Sequence, residues 1–145
     1  MIPPFDNATG YLPPGEHKAG WDEFAKRFGF NRRRRRMLDG LLAALRNLRD
    51  AGCRAAIIDG SFVTRKPNPR DYDCVWEPRS VDVDLVDPVL LTFEDCRAAM
   101  KAKYAGELFP ASFFAAPGVR FREFFQFDRD GRPKGTVRIA LRSLP

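Results

Sequence analysis

Asp71 and Asp73, two aspartates separated by one tyrosine, are the residues of this 145-residue sequence with the clearest chemical meaning. The run DYDCVW predicts a β-strand, and side chains two apart on a strand point to the same face, with Cα atoms about 6.5 to 7 Å apart. Like charges about 4 Å apart repel by roughly 4 kcal/mol at an effective dielectric of 20, so the pair requires solvent or a cation. Because magnesium is typically held by one or two carboxylates plus substrate phosphates, the pair is a candidate magnesium site.

A Gly-Ser pair, Gly60 and Ser61, ends the apolar run before these aspartates. The following SFVTRK predicts a turn of helix that ends before Pro67. Glycine lets a phosphate approach the backbone, serine offers a hydroxyl, and the N–H groups of a helix start attract anions. Arg65 and Lys66 are close enough in sequence to neutralise further phosphate charge. Alone, a Gly-Ser pair is typical of a turn and D-x-D of an exposed strand face, so only their combination indicates a nucleotide site.

In this strand–turn–strand order, the Gly-Ser pair followed by the triplet Asp71, Tyr72 and Asp73 resembles the signature of the polymerase-beta-like nucleotidyltransferase superfamily. The resemblance covers mainly residues 38–77. Over more of the chain, the segments GWDEF, IDGSFVT, GELFPA, EFFQFD and KGTVRI resemble an uncharacterised family of short bacterial proteins with a nucleotidyltransferase-like core. The resemblance implies a fold and a chemistry, and it implies no particular substrate.

The chemistry implied by the resemblance is magnesium-dependent transfer of a nucleoside monophosphate from a nucleoside triphosphate (NTP) to a protein or RNA acceptor, with release of pyrophosphate. Two Mg²⁺ ions about 3.5 to 4 Å apart would clamp the attacking and leaving oxygens. In this scheme Asp71 and Asp73 are the catalytic metal ligands, and Gly60 and Ser61 bind the nucleotide. Small members of the superfamily often belong to toxin–antitoxin or phage-defence modules, which implies a cognate toxin or antitoxin as a partner.

Members of the superfamily usually add a third carboxylate from a later strand, which acts as base or completes the metal shell. Glu123 is the first candidate, because a β-strand there could pair beside the aspartate strand with Glu123 facing the same way. A polar connecting segment holds the rival candidates, which need no function to explain them: Asp82, Asp84 and Asp87. The closing strand TVRIAL is a second place to expect an acid, and this sequence has Ala140 there.

Two alternatives to an active enzyme therefore stay open. If the third acid belonged at Ala140, catalysis would be impaired, and the chain would be a catalytically inactive nucleotidyltransferase-fold module that binds RNA or protein, such as an antitoxin. The other alternative is a plain basic RNA-binding domain.

A run of five arginines, Arg32 to Arg36, begins the longest predicted helix. The helix dipole disfavours cations there by about 0.3 to 1 kcal/mol each, so folding does not explain the run. Successive residues advance by about 100° around a helix, so only two or three can face one partner. The run is either a solvated helix end paired with acids such as Asp39, or a binding site for an RNA backbone or an acidic protein.

The elements that position these residues begin with an extended arm over residues 1–20, predicted from four prolines and three glycines, before a single domain over residues 21–145. GWDEFAKRFGF predicts a short helix with a buried aromatic face that ends at Gly29. Asn31 is a good N-cap for the next helix, whose leucines recur at helical spacing until Gly52. CRAAIIDGS and the segment from Asp71 to Trp76 predict two strands.

The remaining segments complete the predicted fold. A helix is expected from Pro88 to about Tyr104, GELFPASFFAAPG is irregular, and VRFREFFQFDRDGRPKGTVRIAL predicts a hairpin turning at Asp130-Gly131. This order predicts an α/β (α+β) fold: a small mixed sheet with helices packed on it, nucleotidyltransferase-like, with a C-terminal β-hairpin.

The composition narrows the class of partner. A formal net charge of +6 favours an anionic partner such as a nucleotide, RNA or an acidic protein. One histidine and three cysteines without a C-x-x-C pair do not make a plausible zinc set. No apolar run approaches the ~18 to 20 residues of a membrane span, and no signal peptide is recognisable, so we expect a cytoplasmic protein with no membrane partner.

Overall fold

A mixed five-stranded sheet forms the centre of the computed structural model, which describes residues 1–145. The strand order is β1-β7-β2-β3-β4, with β1/β7 and β3/β4 parallel and the two pairs between them antiparallel. The elements are β1 Gly15–Ala19, α1 Trp21–Phe28, α2 Arg32–Asp50, β2 Ala55–Asp59, β3 Tyr72–Trp76, α3 Glu94–Tyr104, β4 Gly106–Pro110, β5 Phe114–Ala116, β6 Val119–Arg120, α4 Phe121–Phe124 and β7 Gly135–Ala140. The predicted α/β class with a mixed sheet is confirmed.

The first two helices form where the apolar spacing predicts them. α1 buries its aromatic face and ends at Gly29. The Asn31 side chain caps α2 by accepting a hydrogen bond from the backbone N–H of Arg34 at 2.9 Å. The leucines of α2 at 38, 41, 45 and 48 are buried, so one stripe of this helix faces the sheet. No helix is long and apolar enough to cross a membrane.

One face of the sheet belongs to the main hydrophobic core. Alternate strand residues enter the core cluster with α1 and α2, namely Ala56, Ile58, Tyr72, Cys74, Trp76, Leu108, Val137 and Ile139. Tyr72 therefore points away from the side of Asp73, as predicted, and its hydroxyl donates to the backbone oxygen of Tyr104 at 2.7 Å. This packing fixes which residues must face the opposite side.

The opposite face is partly covered by a phenylalanine-rich segment, residues 111–134. The ring of Phe109 on β4 stacks on Phe121 of α4 with centroids 4.2 Å apart and on Phe93 at 6.0 Å. Arg122 binds Glu16 of β1 through two hydrogen bonds of 2.6 and 2.8 Å. These contacts hold the segment over the sheet and leave a cleft beneath it.

Three segments differ from the prediction. Residues 15–19 of the predicted arm form β1, an edge strand parallel to β7. The helix expected from Pro88 is split into a 3₁₀ turn, Pro88–Leu91, and α3, because Thr92 between them has an extended backbone. The stretch expected to be irregular contains β4, because pairing with β3 and burial of Leu108 outweigh the local turn signals.

The predicted C-terminal hairpin is wrong in its first half. Only one bridge, between Phe127 and Pro133, joins the two sides of the turn near Asp130 and Gly131. The aromatic run forms α4 because Phe121 packs onto the face of the sheet instead of entering it. β7 is a strand, but it pairs with β1 and β2.

Candidate active site

A line of polar residues crosses all five strands on the face opposite the core. Glu16 is in register with Thr136, Asp59 with Asp73, and Asp73 with Glu107. The pairing of Ile58 with Val137 places Asp59 beside Thr136 and completes the line. We call Glu16, Thr136, Asp59, Asp73 and Glu107 the polar row. Register neighbours point to the same face, so these side chains adjoin one another.

The centre of the polar row is buried without hydrogen-bond partners. Asp59 is 0% exposed, and neither of its carboxyl oxygens nor the hydroxyl of Thr136 has a partner in the protein. Burial, and then the charge of Asp73, raise the pKa of Asp59 well above its ordinary value. Unpartnered buried polar groups cost roughly 1 to 3 kcal/mol of stability each. Their presence here makes this position a candidate functional site.

The carboxyl of Asp73, next to Asp59 on the sheet, also has a raised pKa. Burial first, and then the charge of Glu107 and a hydrogen bond with it, raise the pKa of Asp73 to about 7, against a smaller opposing effect of Lys134. A raised pKa in a cleft, produced by burial and a specific charged neighbour, is a recognised mark of a functional carboxylate.

Gly60 makes room for the Asp73 carboxylate. Its φ is +74°, and a Cβ atom at this position would lie 2.0 Å from Oδ2 of Asp73. Both the left-handed backbone and this close approach require glycine. The Gly-Ser turn, Gly60–Val63, is a 3₁₀ turn that starts directly after β2, as predicted.

Glu107 already has cationic partners. Arg97 donates to Oε1 of Glu107 from Nε at 3.0 Å and from Nη2 at 2.8 Å, and Lys101 Nζ lies 3.3 Å from the same oxygen. The two cations outweigh burial and lower the pKa of Glu107. Arg97 lies in a turn of three consecutive left-handed residues with φ of 49°, 54° and 62°, a conformation that costs free energy and recurs at functional sites.

An open cleft of about 1260 Å³ lies between the row and the phenylalanine-rich segment. Its floor includes Asp73, its aromatic wall includes Phe124 and Phe127, and its cations are Lys66, Arg129 and Lys134. A second cavity of about 470 Å³ adjoins it and is lined by both lysines and by Arg65. The cleft therefore combines a carboxylate floor, cations and an aromatic wall, and Glu123, Asp128 and Asp130 add further carboxylates to its lining.

Five of the seven predicted site residues line this cleft: Gly60, Ser61, Lys66, Asp73 and Glu123. The other two do not. Asp71 precedes β3 and contributes to the cleft only through its charge, which raises the pKa of Asp73. Arg65 lines the adjoining cavity and donates to the backbone oxygen of Asn7 at 3.1 Å, so it packs on the N-terminal segment.

The predicted position of Glu123 on a strand beside β3 is wrong. Glu123 is exposed on α4, across the cleft from the sheet, because Phe121 and Arg122 anchor that helix to Phe109 and Glu16. The strand beside β3 is β4, and it presents Glu107 next to Asp73.

Sequence reasoning missed Asp59, Glu107 and Lys134. Asp59 carried a signal, because an acid that ends an apolar strand directly before Gly-Ser falls on the face opposite Ile58. Glu107 had no signal, since the prediction did not contain β4. Lys134 precedes β7 and lines both cavities, and its charge opposes the raised pKa values of Asp59 and Asp73.

The donor set fits a cation that is held jointly with a phosphate ligand. No group of three or more His, Cys, Asp or Glu side chains is arranged to hold a metal ion. Magnesium needs fewer from the protein, since one or two carboxylates with water and substrate phosphates suffice. Asp73 on the cleft floor, with the unpartnered carboxyl of Asp59 beside it, supplies that number.

Comparison with known families places the chain in one group. A model of a family of unknown function, DUF6932, matches residues 3–140. The chain therefore belongs to this family. No curated protein and no solved structure matches it.

Proposed function

We propose that the protein is a magnesium-dependent nucleotidyltransferase that transfers a nucleoside monophosphate from an NTP to a protein or RNA acceptor. The observation that carries this proposal is the half-buried carboxyl of Asp73, which lies beside Gly60 at the floor of a cleft with lysines at its edge and has the buried, unpartnered carboxyl of Asp59 behind it. The order of Gly-Ser strand, aspartate strand and later strand also matches what the superfamily resemblance implies for the third carboxylate, with Glu107 in that place.

Each residue has a role in this proposal. Asp73 on the cleft floor, with Asp59 behind it, would hold Mg²⁺, and Asp71, outside the cleft, would act only through its charge. Ser61 faces the phosphates, and Lys66 and Lys134 neutralise their charge from the edge shared by both cavities. Bound Mg²⁺ would supply charge neutralisation at the reacting phosphate and orient it.

The proposed transfer is a single displacement at the α-phosphate. The acceptor hydroxyl oxygen forms a bond to the α-phosphorus, the bond from that phosphorus to the bridging oxygen breaks, and pyrophosphate leaves. The hydroxyl proton goes to a carboxylate at the cleft, for which exposed Glu123 on the far wall is our candidate. Catalysis then consists mainly of positioning and charge stabilisation.

A second candidate is a catalytically inactive nucleotidyltransferase-fold module that binds nucleotide, RNA or protein. Two observations favour it: Arg97 and Lys101 already neutralise Glu107, and no three-carboxylate group is assembled. Either candidate is compatible with a toxin–antitoxin or phage-defence setting and a cognate partner. We propose a cytoplasmic location for both, which the unpaired thiols of Cys53, Cys74 and Cys96 support.

Label transfer from α-labelled NTPs tests the proposal. The protein is incubated with Mg²⁺, each NTP, and candidate protein and RNA acceptors, and Asp73→Asn is compared with Asp39→Asn, an exposed acid on α2 that serves as control. We expect transfer by the wild type and the control and a loss of at least about 10²-fold in Asp73→Asn. Nucleotide binding without transfer supports the inactive module, and equal transfer by all three proteins would falsify the assignment of Asp73.

A further inference from the structure

The arginine run contains one buried residue that the fold requires and four exposed residues that contribute little to the fold. Arg34 is 0% exposed and binds backbone oxygens, whereas Arg32, Arg33, Arg35 and Arg36 are exposed. Arg33 and Arg35 each donate one hydrogen bond, to the backbone oxygens of Pro69 and Gly29. Folding therefore accounts for Arg34 and leaves most of the positive charge of the run free.

The start of α2 is bound directly to the loop that reaches the cleft. Asn31 Nδ2 donates to the oxygen of Pro67 at 2.6 Å, Arg33 Nε to that of Pro69 at 2.9 Å, and Arg34 Nη2 to that of Lys66 at 2.6 Å. Lys66 carries its own side chain into the cleft. The exposed arginines and the cleft are thus joined by one loop.

This region forms a surface whose cations make no ion pair in the protein. We define the basic surface as Arg32, Arg33, Arg36, Lys66 and Arg70, all exposed. None of them takes part in an ion pair, because the six ion pairs of the structure use other cations: Arg49, Arg97, Lys101, Lys103, Arg122 and Arg138. Uncompensated like charges repel one another, so the surface suits a polyanion.

Exposed aromatic rings lie beside the start of α2, where Phe30 contacts the Arg34 guanidinium at 4.3 Å, and on the wall of the cleft. Phe30 is 46% exposed next to the start of α2, and Phe124 and Phe127 on the cleft wall are 51% and 49% exposed. Cations that follow a backbone, combined with aromatic rings on which bases stack, are the usual means of binding single-stranded nucleic acid.

We infer that the basic surface binds the phosphodiester backbone of a single-stranded nucleic acid and leads its end toward the cleft. The part that concerns the cleft rests on the proposed function and makes a nucleic-acid end, rather than a protein hydroxyl, the acceptor. Binding itself requires neither NTP nor magnesium.

Fluorescence anisotropy with a labelled single-stranded RNA, and with DNA of the same sequence, tests the inference in the absence of NTP and Mg²⁺. The double variant Arg32→Gln/Arg36→Gln is compared with Arg54→Gln/Arg79→Gln. Both variants remove two exposed charges. Arg54 precedes β2 and Arg79 follows β3, so both lie at the strand ends that are remote from the cleft. Circular dichroism checks that both variants are folded.

We expect Arg32→Gln/Arg36→Gln to bind at least tenfold more weakly at about 0.1 M salt and to lower the slope of log K against log salt by about 1.4, which is about 0.7 for each lost phosphate contact. The control variant should bind like the wild type. RNA and DNA binding alike indicates backbone recognition, and RNA alone indicates contacts to the sugar, so both support the inference.

Equal losses in the two double variants would overturn the inference, since net charge alone would then explain binding. Tighter binding of polyglutamate than of either nucleic acid would also overturn it, in favour of an acidic protein partner. Because the binding measurements contain no NTP, absence of label transfer would reject the proposed enzyme without changing the binding result.

Discussion

Two ionisable groups, Arg34 and Asp59, are fully buried near the Gly-Ser turn, and the protein treats them in opposite ways. The Arg34 guanidinium makes five hydrogen bonds to the backbone oxygens of Phe28, Phe62, Thr64 and Lys66. The Asp59 carboxyl makes none. The hydrogen-bond donors of Arg34 are used to hold the fold together, whereas the carboxyl oxygens of Asp59 remain free to bind a ligand.

This difference separates a structural charge from a candidate functional one. The hydrogen bonds of buried Arg34 hold the loop that contains Lys66, and Lys66 lines the cleft. Unsatisfied buried charges lower the stability of the fold, and proteins keep such groups chiefly where they act on a ligand. Substitutions in the two regions should therefore change stability in opposite directions.

The largest expected effect is at Arg34. Arg34→Met should lower the free energy of unfolding by about 3 to 5 kcal/mol, because it removes the donors to four backbone oxygens, three of them in buried hydrogen bonds. Denaturant unfolding measures the change, and Arg36→Met on the exposed side of α2 should stay within about 0.5 kcal/mol of the wild type. A similar effect of both substitutions would remove the contrast.

Asp73→Asn should stabilise the protein at alkaline pH. The pKa of Asp73 is about 7 in the fold, against an ordinary value of 3.8. The folded state thus keeps a proton that the unfolded chain loses, and the stability from this group falls as pH rises from about 4 to 7. At about 1.4 kcal/mol per pKa unit, the variant should be more stable by roughly 2 to 4 kcal/mol at pH 8.

Thermal or denaturant unfolding across pH 4 to 8 checks this prediction, and the difference between Asp73→Asn and the wild type should shrink toward pH 4. Asp39→Asn serves as the exposed control. A wild type that is more stable than Asp73→Asn at pH 8 would show that the carboxylate has a stabilising partner and would make it structural.

Gly60→Ala should have an intermediate effect. The left-handed φ of +74° and the approach of Asp73 Oδ2 to within 2.0 Å of the added Cβ predict a loss of about 1 to 3 kcal/mol. In the background of Asp73→Ala the clash is removed, so the loss should fall to about 1 kcal/mol, the backbone part alone. A double-mutant cycle measures the coupling, and additive losses would contradict the proposed contact.

Arg97→Gln should change stability least. The ion pair is partly exposed, with Arg97 33% and Glu107 16% accessible, so its loss should cost under about 1 kcal/mol. Its informative result is at Glu107, whose pKa Arg97 lowers. NMR titration of the Glu107 carboxyl should show a higher pKa in Arg97→Gln, and an unchanged value would mean that Lys101 alone sets it.

Local patterns were sufficient to predict the first two helices and the strands β2 and β3. α1, α2, β2 and β3 each carry a strong signal of spacing, capping or β-rich composition. The segments that were predicted wrongly depend on tertiary contacts. β4 is a strand because it pairs with β3, and residues 121–124 form α4 instead of a hairpin strand because Phe121 stacks on Phe109. The residues that these segments contact lie outside the local stretch of sequence from which each prediction was made.

The candidate site was predictable only in part for the same reason. The Gly-Ser turn and Asp73 are close in sequence and could be joined by a motif. Glu107 joins them through strand register, and Lys134 through the start of β7, and neither relation is visible without the sheet. The arginine run showed the limit of charge counting, because Arg34 is buried between exposed neighbours.

Manganese binding measured by electron paramagnetic resonance tests the central claim most directly, that the buried carboxyls are a cation–nucleotide site. Wild type, Asp73→Asn and Asp39→Asn are titrated with Mn²⁺ in the presence of a non-hydrolysable NTP analogue. The account predicts a ternary complex with the wild type and Asp39→Asn, and at least tenfold weaker Mn²⁺ binding with Asp73→Asn. Equal Mn²⁺ binding by all three proteins would contradict it.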